Sequence, residues 1–479
     1  MQIQTTSALD AAADVLALGL KKDALDALPA DLPAPLADAV REAVADDDFT
    51  GAVGSSLTLR TLGNLSARWL VVVGLGDGTP GDLRVAAGVA ASFARDNGQT
   101  ALALALGAEG DAAWEAVIEG VQAGNYRFDR NKAEKARKPA LSALSFVGGA
   151  PSDGAMTRAN ARAAGRSLAR DLVNEPAEVI YPETLAEVAR NLASDQLTLE
   201  VWDQARLIEE GMNGINGVGR ASTRPPCFVH MKWTPKGDPK ARVALVGKGV
   251  TYDSGGLSLK PSGGQQTMRC DMGGSAAVIG AMAALDALQP DVEVHGIFAA
   301  AENMVAGNSY KLGDVLTMHN GKTVEIHNTD AEGRLLLADC LSYVSDLKDI
   351  DYCIDLATLT GAAVVAVGER YSAVYSYSDD FAAALLAASK EAGEGFWRMP
   401  LDDGYKSLLK SDWATLKNVG GREAGSITAA LFLSEFIDGP TWAHIDIAGP
   451  AFLGAPQHHL GKGGSGHPVE TLLRWISSL

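Results

Sequence analysis

The stretch Asn328-Thr329-Asp330-Ala331-Glu332-Gly333-Arg334-Leu335 sets two carboxylates and a guanidinium between a β-like segment, Thr323 to His327, and an apolar helical one, Leu335 to Val344. It reads as a strand-to-helix turn, where side chains can converge on one point without being locked into a sheet. Arg and Gly suit a first helical turn poorly. The helix N-terminus prefers anions, and Gly costs about 1 kcal/mol against Ala. The same residues also fit a capping box, with Thr329 capping the helix and Glu332 reaching back. On this stretch alone both readings stand.

A second cluster lies upstream. Val243 to Gly247 reads as a short buried strand, followed by Lys248-Gly-Val-Thr-Tyr-Asp253-Ser-Gly-Gly and then Leu257-Ser-Leu-Lys260-Pro261. After a Gly/Ser/Gln loop, Met268-Arg-Cys-Asp271-Met-Gly-Gly leads into a small-residue helix from Ser275 to Leu288. Open α/β sheets bind ligands beyond the carboxyl ends of their strands. Lys248 and Asp253 follow one such end; Asp330 and Glu332 follow another. Each aspartate alone is an ordinary turn or cap residue. Together Asp253, Asp271, Asp330 and Glu332 would repel strongly unless most were protonated or two divalent cations lay among them. Bridging carboxylates are what a two-metal site needs.

These segments resemble the signatures of the cytosolic leucyl aminopeptidases, hexameric di-metal enzymes also called aminopeptidase A. The resemblance extends through Asn174-Glu-Pro-Ala, Ala301-Glu-Asn-Met, Asp355-Leu-Ala-Thr-Leu-Thr-Gly361, Asn418-Val-Gly-Gly-Arg-Glu-Ala-Gly425 and Trp442-Ala-His-Ile-Asp-Ile-Ala-Gly449. The first 150 or so residues resemble the family only loosely. Small departures are Tyr252, where Phe is common, and Ser275, where Ala is common.

The resemblance implies that Lys248, Asp253, Asp271 and Glu332 hold a tightly bound metal, and that Asp253, Asp330 and Glu332 hold an exchangeable one. Lys260 and Arg334 are the implied catalytic pair. Met268, Thr358, Leu359, Gly361 and Ala451 match the pocket for the first side chain, small or apolar residues that suit Leu and Met. The reaction implied is removal of an N-terminal residue by water activated between the metals, with Lys260 facing the oxyanion. A bicarbonate ion held by Arg334 is the implied general base, which would account for the awkward first turn. A lysine ligand would need a depressed pKa. Oxygen ligands by themselves suit Mg²⁺ or Mn²⁺; Zn²⁺ and Co²⁺ enter through the family. His319 and His327 lie outside its pattern and read as loop and strand residues.

The chain of 479 residues exceeds what one core usually serves, and its 52 glycines and few aromatics suit an α/β enzyme with many turns. The expected architecture is a smaller N-terminal α/β domain, residues 1–150, and a larger catalytic domain, 151–479, with a central mixed sheet flanked by helices. The boundary is placed at the loop Gly148 to Gly154, ahead of an Arg/Ala-rich helix from Thr157 to Val173. Gly74-Leu-Gly76-Asp-Gly78 follows a strand, Trp69 to Val73, but Thr79 stands where a dinucleotide fingerprint needs its third glycine. It reads as a plain strand-to-helix turn.

A net charge of −18 with no basic run argues against nucleic acid or an anionic membrane as partner. No apolar run of membrane-spanning length and no signal peptide are apparent. The four cysteines have no paired spacing. A reducing cytoplasm is therefore expected, with free thiols. Peptides with a free N-terminus are the expected partners, along with further copies of the chain in a hexamer. Three other readings are a dipeptidase for Cys-Gly, a two-metal phosphoesterase, and a structural metal site without turnover. Phosphoesterase sites usually recruit several histidines, and these motifs contain none.

Overall fold

Strands covered on both faces carry unbroken apolar runs, and such runs form the centre of both sheets here. The computed structural model describes residues 2–479. Two compact units share the chain: Met1–Ala163 with Gly454–Lys462, and Ala164–Leu453 with Gly463–Leu479. The division differs from the glycine loop expected at 148–154. It falls inside one helix, Asp153–Asn174, because the arginines of that helix serve different partners. Arg162 bonds Glu115 and Glu119, whereas Arg166 bonds Glu470 at 2.9 Å and Arg170 donates to Gly464 O at 3.0 Å.

In the first unit the strands are β1 (Gln2–Thr6), β2 (Val15–Leu20), β3 (Ser56–Arg60), β4 (Trp69–Gly74), β5 (Ala101–Ala105) and β6 (Ala143–Val147). They lie in the order β1-β6-β5-β2-β4-β3, parallel except for the edge strand β3. The turn after β4 enters the helix Pro80–Asp96 with a complete capping box. Thr79 Oγ1 accepts from Asp82 N at 3.3 Å, and Asp82 Oδ2 accepts from Thr79 N at 3.1 Å. The glycine run is thus a strand-to-helix turn, as its spacing implies.

The second unit holds an eight-stranded mixed sheet. Its strands are β7 (Leu197–Trp202), β8 (Cys227–Trp233), β9 (Arg242–Asp253), β10 (Glu293–Asn303), β13 (Tyr352–Ala357), β14 (Tyr371–Ser376), β15 (Gly395–Arg398) and β17 (Thr441–Asp446). Three short strands, β11 (Val315–Thr317), β12 (Thr323–Glu325) and β16 (Leu416–Lys417), form a separate small sheet. The large sheet runs β15-β14-β17-β13-β9-β10-β8-β7, with β13, β9 and β10 parallel at its centre. Helices cover both faces. Ala244, Val246 and Val250 pack with Leu336 and Leu337 of the helix Gly333–Asp346. Gly247 lies against the helix Gly273–Leu288, so closely that a Cβ there would come within 2.6 Å of Ser275 Cα.

Three local expectations change. β9 does not stop at Gly247 but continues through Lys248 to Asp253, because the glycines are sites of close helix and strand approach rather than turns. The segment 323–327 yields only the short β12, outside the large sheet, so Asp330 and Glu332 do not follow one of its strand ends. The stretch Ser262–Leu288 is apolar enough over eighteen residues to pass for a membrane span, yet 78% of that window is buried within the protein, as suits a core helix. All four cysteines are free and buried.

Candidate metal centre

The end of β9, the turn before Gly273–Leu288 and the turn before Gly333–Asp346 bring five expected ligands together. Lys248 enters from within β9 and lies 2.7 Å from Asp271 Oδ1 and 2.9 Å from Glu332 Oε1. Its side chain passes directly over Gly333, where a Cβ would meet Lys248 Cε at 2.4 Å. That close approach explains the glycine in a first helical turn. Lys260 Nζ lies 2.8 Å from Asp253 Oδ2 and 2.5 Å from Asp330 Oδ1. Carboxylate oxygens of Asp253, Asp330 and Glu332 fall within 4.8 Å of one another.

Burial divides the cluster. The side chains of Lys248, Asp271 and Glu332 are 3%, 6% and 2% exposed, against 17% for Lys260 and 32% for Asp330. Asp271 Oδ2 and Glu332 Oε2 are buried and accept no hydrogen bond. Buried polar atoms are rarely left so, and unpartnered carboxylate oxygens on members of an acidic cluster fit divalent cations.

Burial and the neighbouring Glu332 charge raise Asp253 to about 6 despite two ammonium neighbours. Asp271 is pushed well above the usual range, chiefly by burial. Burial would raise Glu332 too, but the Lys248 charge and hydrogen bond pull it below its ordinary value. Lys248 itself is raised, the reverse of what a lysine ligand needs. Burial works to lower it, and the carboxylates of Asp271, Glu332 and Asp253 outweigh burial. Only dications among those carboxylates would turn the balance. Burial lowers Arg334 to about 10, against the opposing charges of Glu332 and Asp446.

The capping box, one of the two readings open at Thr329, does not form. Thr329 Oγ1 donates to Gly255 O and accepts from Ser258 N, both at 2.7 Å, while Glu332 turns to Lys248. Residue Asn303 donates to Asp253 Oδ1 at 2.8 Å and to Thr329 O at 2.9 Å. Asn418 receives His327 N at 2.8 Å, donates to Asn328 O at 2.6 Å, and offers its carbonyl to Arg334 Nη1 at 2.7 Å. These two asparagines hold the ligand-bearing loops, and sequence reasoning assigned them no role. Their partners lie 26 to 91 positions away, so no local pattern marks them.

The cytosol aminopeptidase family's catalytic domain matches residues 167–473 and its N-terminal domain residues 15–135. A "probable cytosol aminopeptidase" of Picosynechococcus sp. is 42% identical over the full length of both chains. One of Synechococcus elongatus is 41% identical over 100% of this chain and 99% of its own. The chain belongs to the cytosol aminopeptidase family. It is an exopeptidase of the hydrolase class. Among solved structures, the bottromycin maturation enzyme BotP in complex with Mn is similar at TM-score 0.86 and 36% identity, covering 98% of this chain and 99% of that one. A mutant of tomato leucine aminopeptidase is similar at TM-score 0.89 and 34% identity, covering 100% and 97%.

In this aminopeptidase the histidines next to the signature stay outside the cluster. His319 bonds Glu210 O at 2.8 Å and Asp346 at 2.9 Å, and His327 pairs with Glu325 at 3.0 Å. The expected specificity residues divide. Thr358 and Ala451 converge with Ile447 around Gly273, whose Cβ would lie 3.3 Å and 3.4 Å from the first two. Thr358 also donates to Asp271 Oδ1 at 2.8 Å, so it holds a carboxylate as well as packing beside Gly273. Leu359 packs against the main core, its N–H bound to Asp446 at 3.1 Å. Met268 begins the turn that carries Asp271, and Gly361 begins the helix Gly361–Val367.

Proposed function

We propose that this aminopeptidase removes N-terminal Leu and other apolar residues from peptides, using two divalent cations, Mn²⁺ or Zn²⁺. The observation that carries this reading is the buried cluster of four carboxylates and two lysines with unpartnered oxygens on Asp271 and Glu332. Lys248, Asp253, Asp271 and Glu332 would hold the tighter ion, and Asp253, Asp330 and Glu332 the exchangeable one. When bound, the ions supply Lewis acidity and a shared water of lowered pKa as nucleophile.

The protein's own groups do the rest. Asp330, the most exposed acid of the cluster, opens the side where a peptide's free amine would enter. Lys260, kept charged by Asp253 and Asp330, would bind the developing oxyanion, usually a large contribution to catalysis. Arg334 would hold a bicarbonate ion at a helix N-terminus, where backbone N–H groups also favour an anion. Held there, the anion would supply a general base, which the side chains of the cluster do not. Thr358 and Ala451 would bound the first side chain, with Met268, Leu359 and Gly361 around them.

A Cys-Gly dipeptidase activity fits the same site, and a rate profile over aminoacyl amides against Cys-Gly separates the two. Membership of the cytosol aminopeptidase family suggests a cytoplasmic protein, and the assembly expected from the sequence resemblance is a homohexamer, which particle mass would test. The deciding experiment loads metal-stripped protein with Mn²⁺, Zn²⁺, Mg²⁺ or Co²⁺ and assays leucine p-nitroanilide beside p-nitrophenyl phosphate. Turnover of the anilide alone, lost to chelator, is the expected result. Phosphate release, or tight metal without turnover, would overturn it.

A further inference from the structure

β13 and β17 lie side by side and end together, with Ala357 opposite Asp446. Both chains run on past the carboxyl edge of the sheet, where α/β folds bind ligands. One outgoing loop carries Thr358 to Gly361, the other Ile447 to Ala451. Asp446 is buried where they part, and its carboxylate bonds to both. Oδ1 accepts from Leu359 N and from Ala448 N, each at 3.1 Å, and Oδ2 accepts from Thr360 Oγ1 at 2.7 Å. A buried carboxylate is costly unless donors meet it, and here donors from two loops do so.

The bonds continue outward on each side. Thr360 Oγ1 accepts from Ala363 N at 2.9 Å, so the tether reaches the first turn of the helix Gly361–Val367. On the other loop Ile447 N donates to Ala357 O at 2.8 Å, and Ala451 N donates to Ile447 O at 3.1 Å. Thr358 and Ala451, the side chains that meet over Gly273, therefore stand on loops joined through one carboxylate. Thr358 is also tied to the cluster. Its carbonyl accepts from Lys248 Nζ at 3.1 Å, and its hydroxyl donates to Asp271. Those bonds set Thr358 against the metal ligands, while Asp446 sets its loop against the loop of Ala451.

We propose that Asp446 is a positioning residue for substrate selection, holding the Thr358 and Ala451 loops at the separation that the first side chain must fit. This role rests on the pocket assigned to Thr358 and Ala451 above. Without the carboxylate, Leu359 N, Ala448 N and Thr360 Oγ1 lose their shared acceptor, and the two walls can move apart independently of the metal ligands.

The test measures kcat/KM for the p-nitroanilides of alanine, leucine and phenylalanine at saturating Mn²⁺. Asp446→Ala, which frees both loops, is expected to lower the leucine-to-alanine ratio about 10-fold, as loss of apolar contacts to a side chain does. Asp446→Asn returns an acceptor to the two N–H groups and should keep the ratio within about threefold of wild type. If Asp446→Ala does not fold, Thr360→Val takes its place. That variant removes one tether, with an expected shift of about threefold that Thr360→Ser reverses. An equal fall in rate for all three substrates marks a merely structural carboxylate and overturns the role. An Asn variant as altered as Ala overturns it too. Ala451→Gly probes the pocket itself and should favour phenylalanine over leucine relative to wild type. Unchanged ratios in Ala451→Gly, or a wild type that takes all three substrates alike, refute the pocket and the role of Asp446 together. A shift in Ala451→Gly beside none in Asp446→Ala refutes the positioning alone.

Discussion

Two turns in this molecule carry the same local signal and resolve it oppositely. Thr79-x-x-Asp82 and Thr329-x-x-Glu332 both spell a capping box before a helix. The first forms it, with both reciprocal hydrogen bonds in place. At the second, Thr329 stitches the turn to Gly255 and Ser258, and Glu332 points at Lys248. Capping yields about 1 kcal/mol. A carboxylate that helps neutralise a buried ammonium, or holds a cation, is worth more, so tertiary chemistry overrides the local rule. A capping residue that does not cap marks a functional turn.

That contrast can be broken most sharply at its acids. Glu332→Ala is expected to cut kcat by about 1,000-fold or more, some 4 kcal/mol of transition-state stabilisation, and to lower metal content measured by atomic emission. Asp82→Ala should leave both unchanged. Two positions along, Arg334→Ala should lower kcat by about 100-fold, with partial rescue by added bicarbonate in the leucine p-nitroanilide assay. An unchanged kcat would remove the anion from the mechanism.

Gly333→Ala sharpens the comparison differently. Helix propensity favours Ala by about 1 kcal/mol, yet the new methyl would meet the Lys248 side chain. Activity should fall about 10- to 100-fold, as for a small misplacement of reacting groups, and denaturant titration should show no gain in stability. Thr79→Ala, the smallest effect on chemistry, should cost about 1 kcal/mol of stability at constant kcat.

The helix that starts at Gly333 offers a pH probe away from the metal ligands. Burial raises Asp339 to about 7, outweighing its hydrogen bonds from His319 and Ile215 N–H. The folded state therefore holds a proton that the unfolded chain has released. This contribution should lower stability as pH rises from about 4 through 7. Thermal midpoints of wild type and Asp339→Asn should diverge across that window, the variant being the flatter.

Much of this was legible in the sequence, for stated reasons. Lys248, Asp253, Asp271, Asp330, Glu332 and Lys260 lie in short glycine-rich segments whose chemistry makes sense only together, and the fold brings all six to one cluster. The two-unit α/β architecture followed from length and turn composition. Less visible was whatever depended on distant partners. Gly247 looked like a strand end until Ser275 supplied the reason for a missing side chain. Asn303, Asn418 and the arginines of Asp153–Asn174 act through residues remote in the chain. Period and propensity report nothing about such pairs.

One earlier detail limits how this enzyme can be redesigned. A Cβ on Gly274 would come within 2.0 Å of Leu356 O, one on Gly247 within 2.6 Å of Ser275 Cα, and one on Gly333 within 2.4 Å of the Lys248 side chain. The floor beneath the cluster therefore has no slack to be carved or filled. Any variant meant to accept a bulkier first residue would have to reshape the rim around Thr358 and Ala451, leaving the bedrock of backbone as it stands.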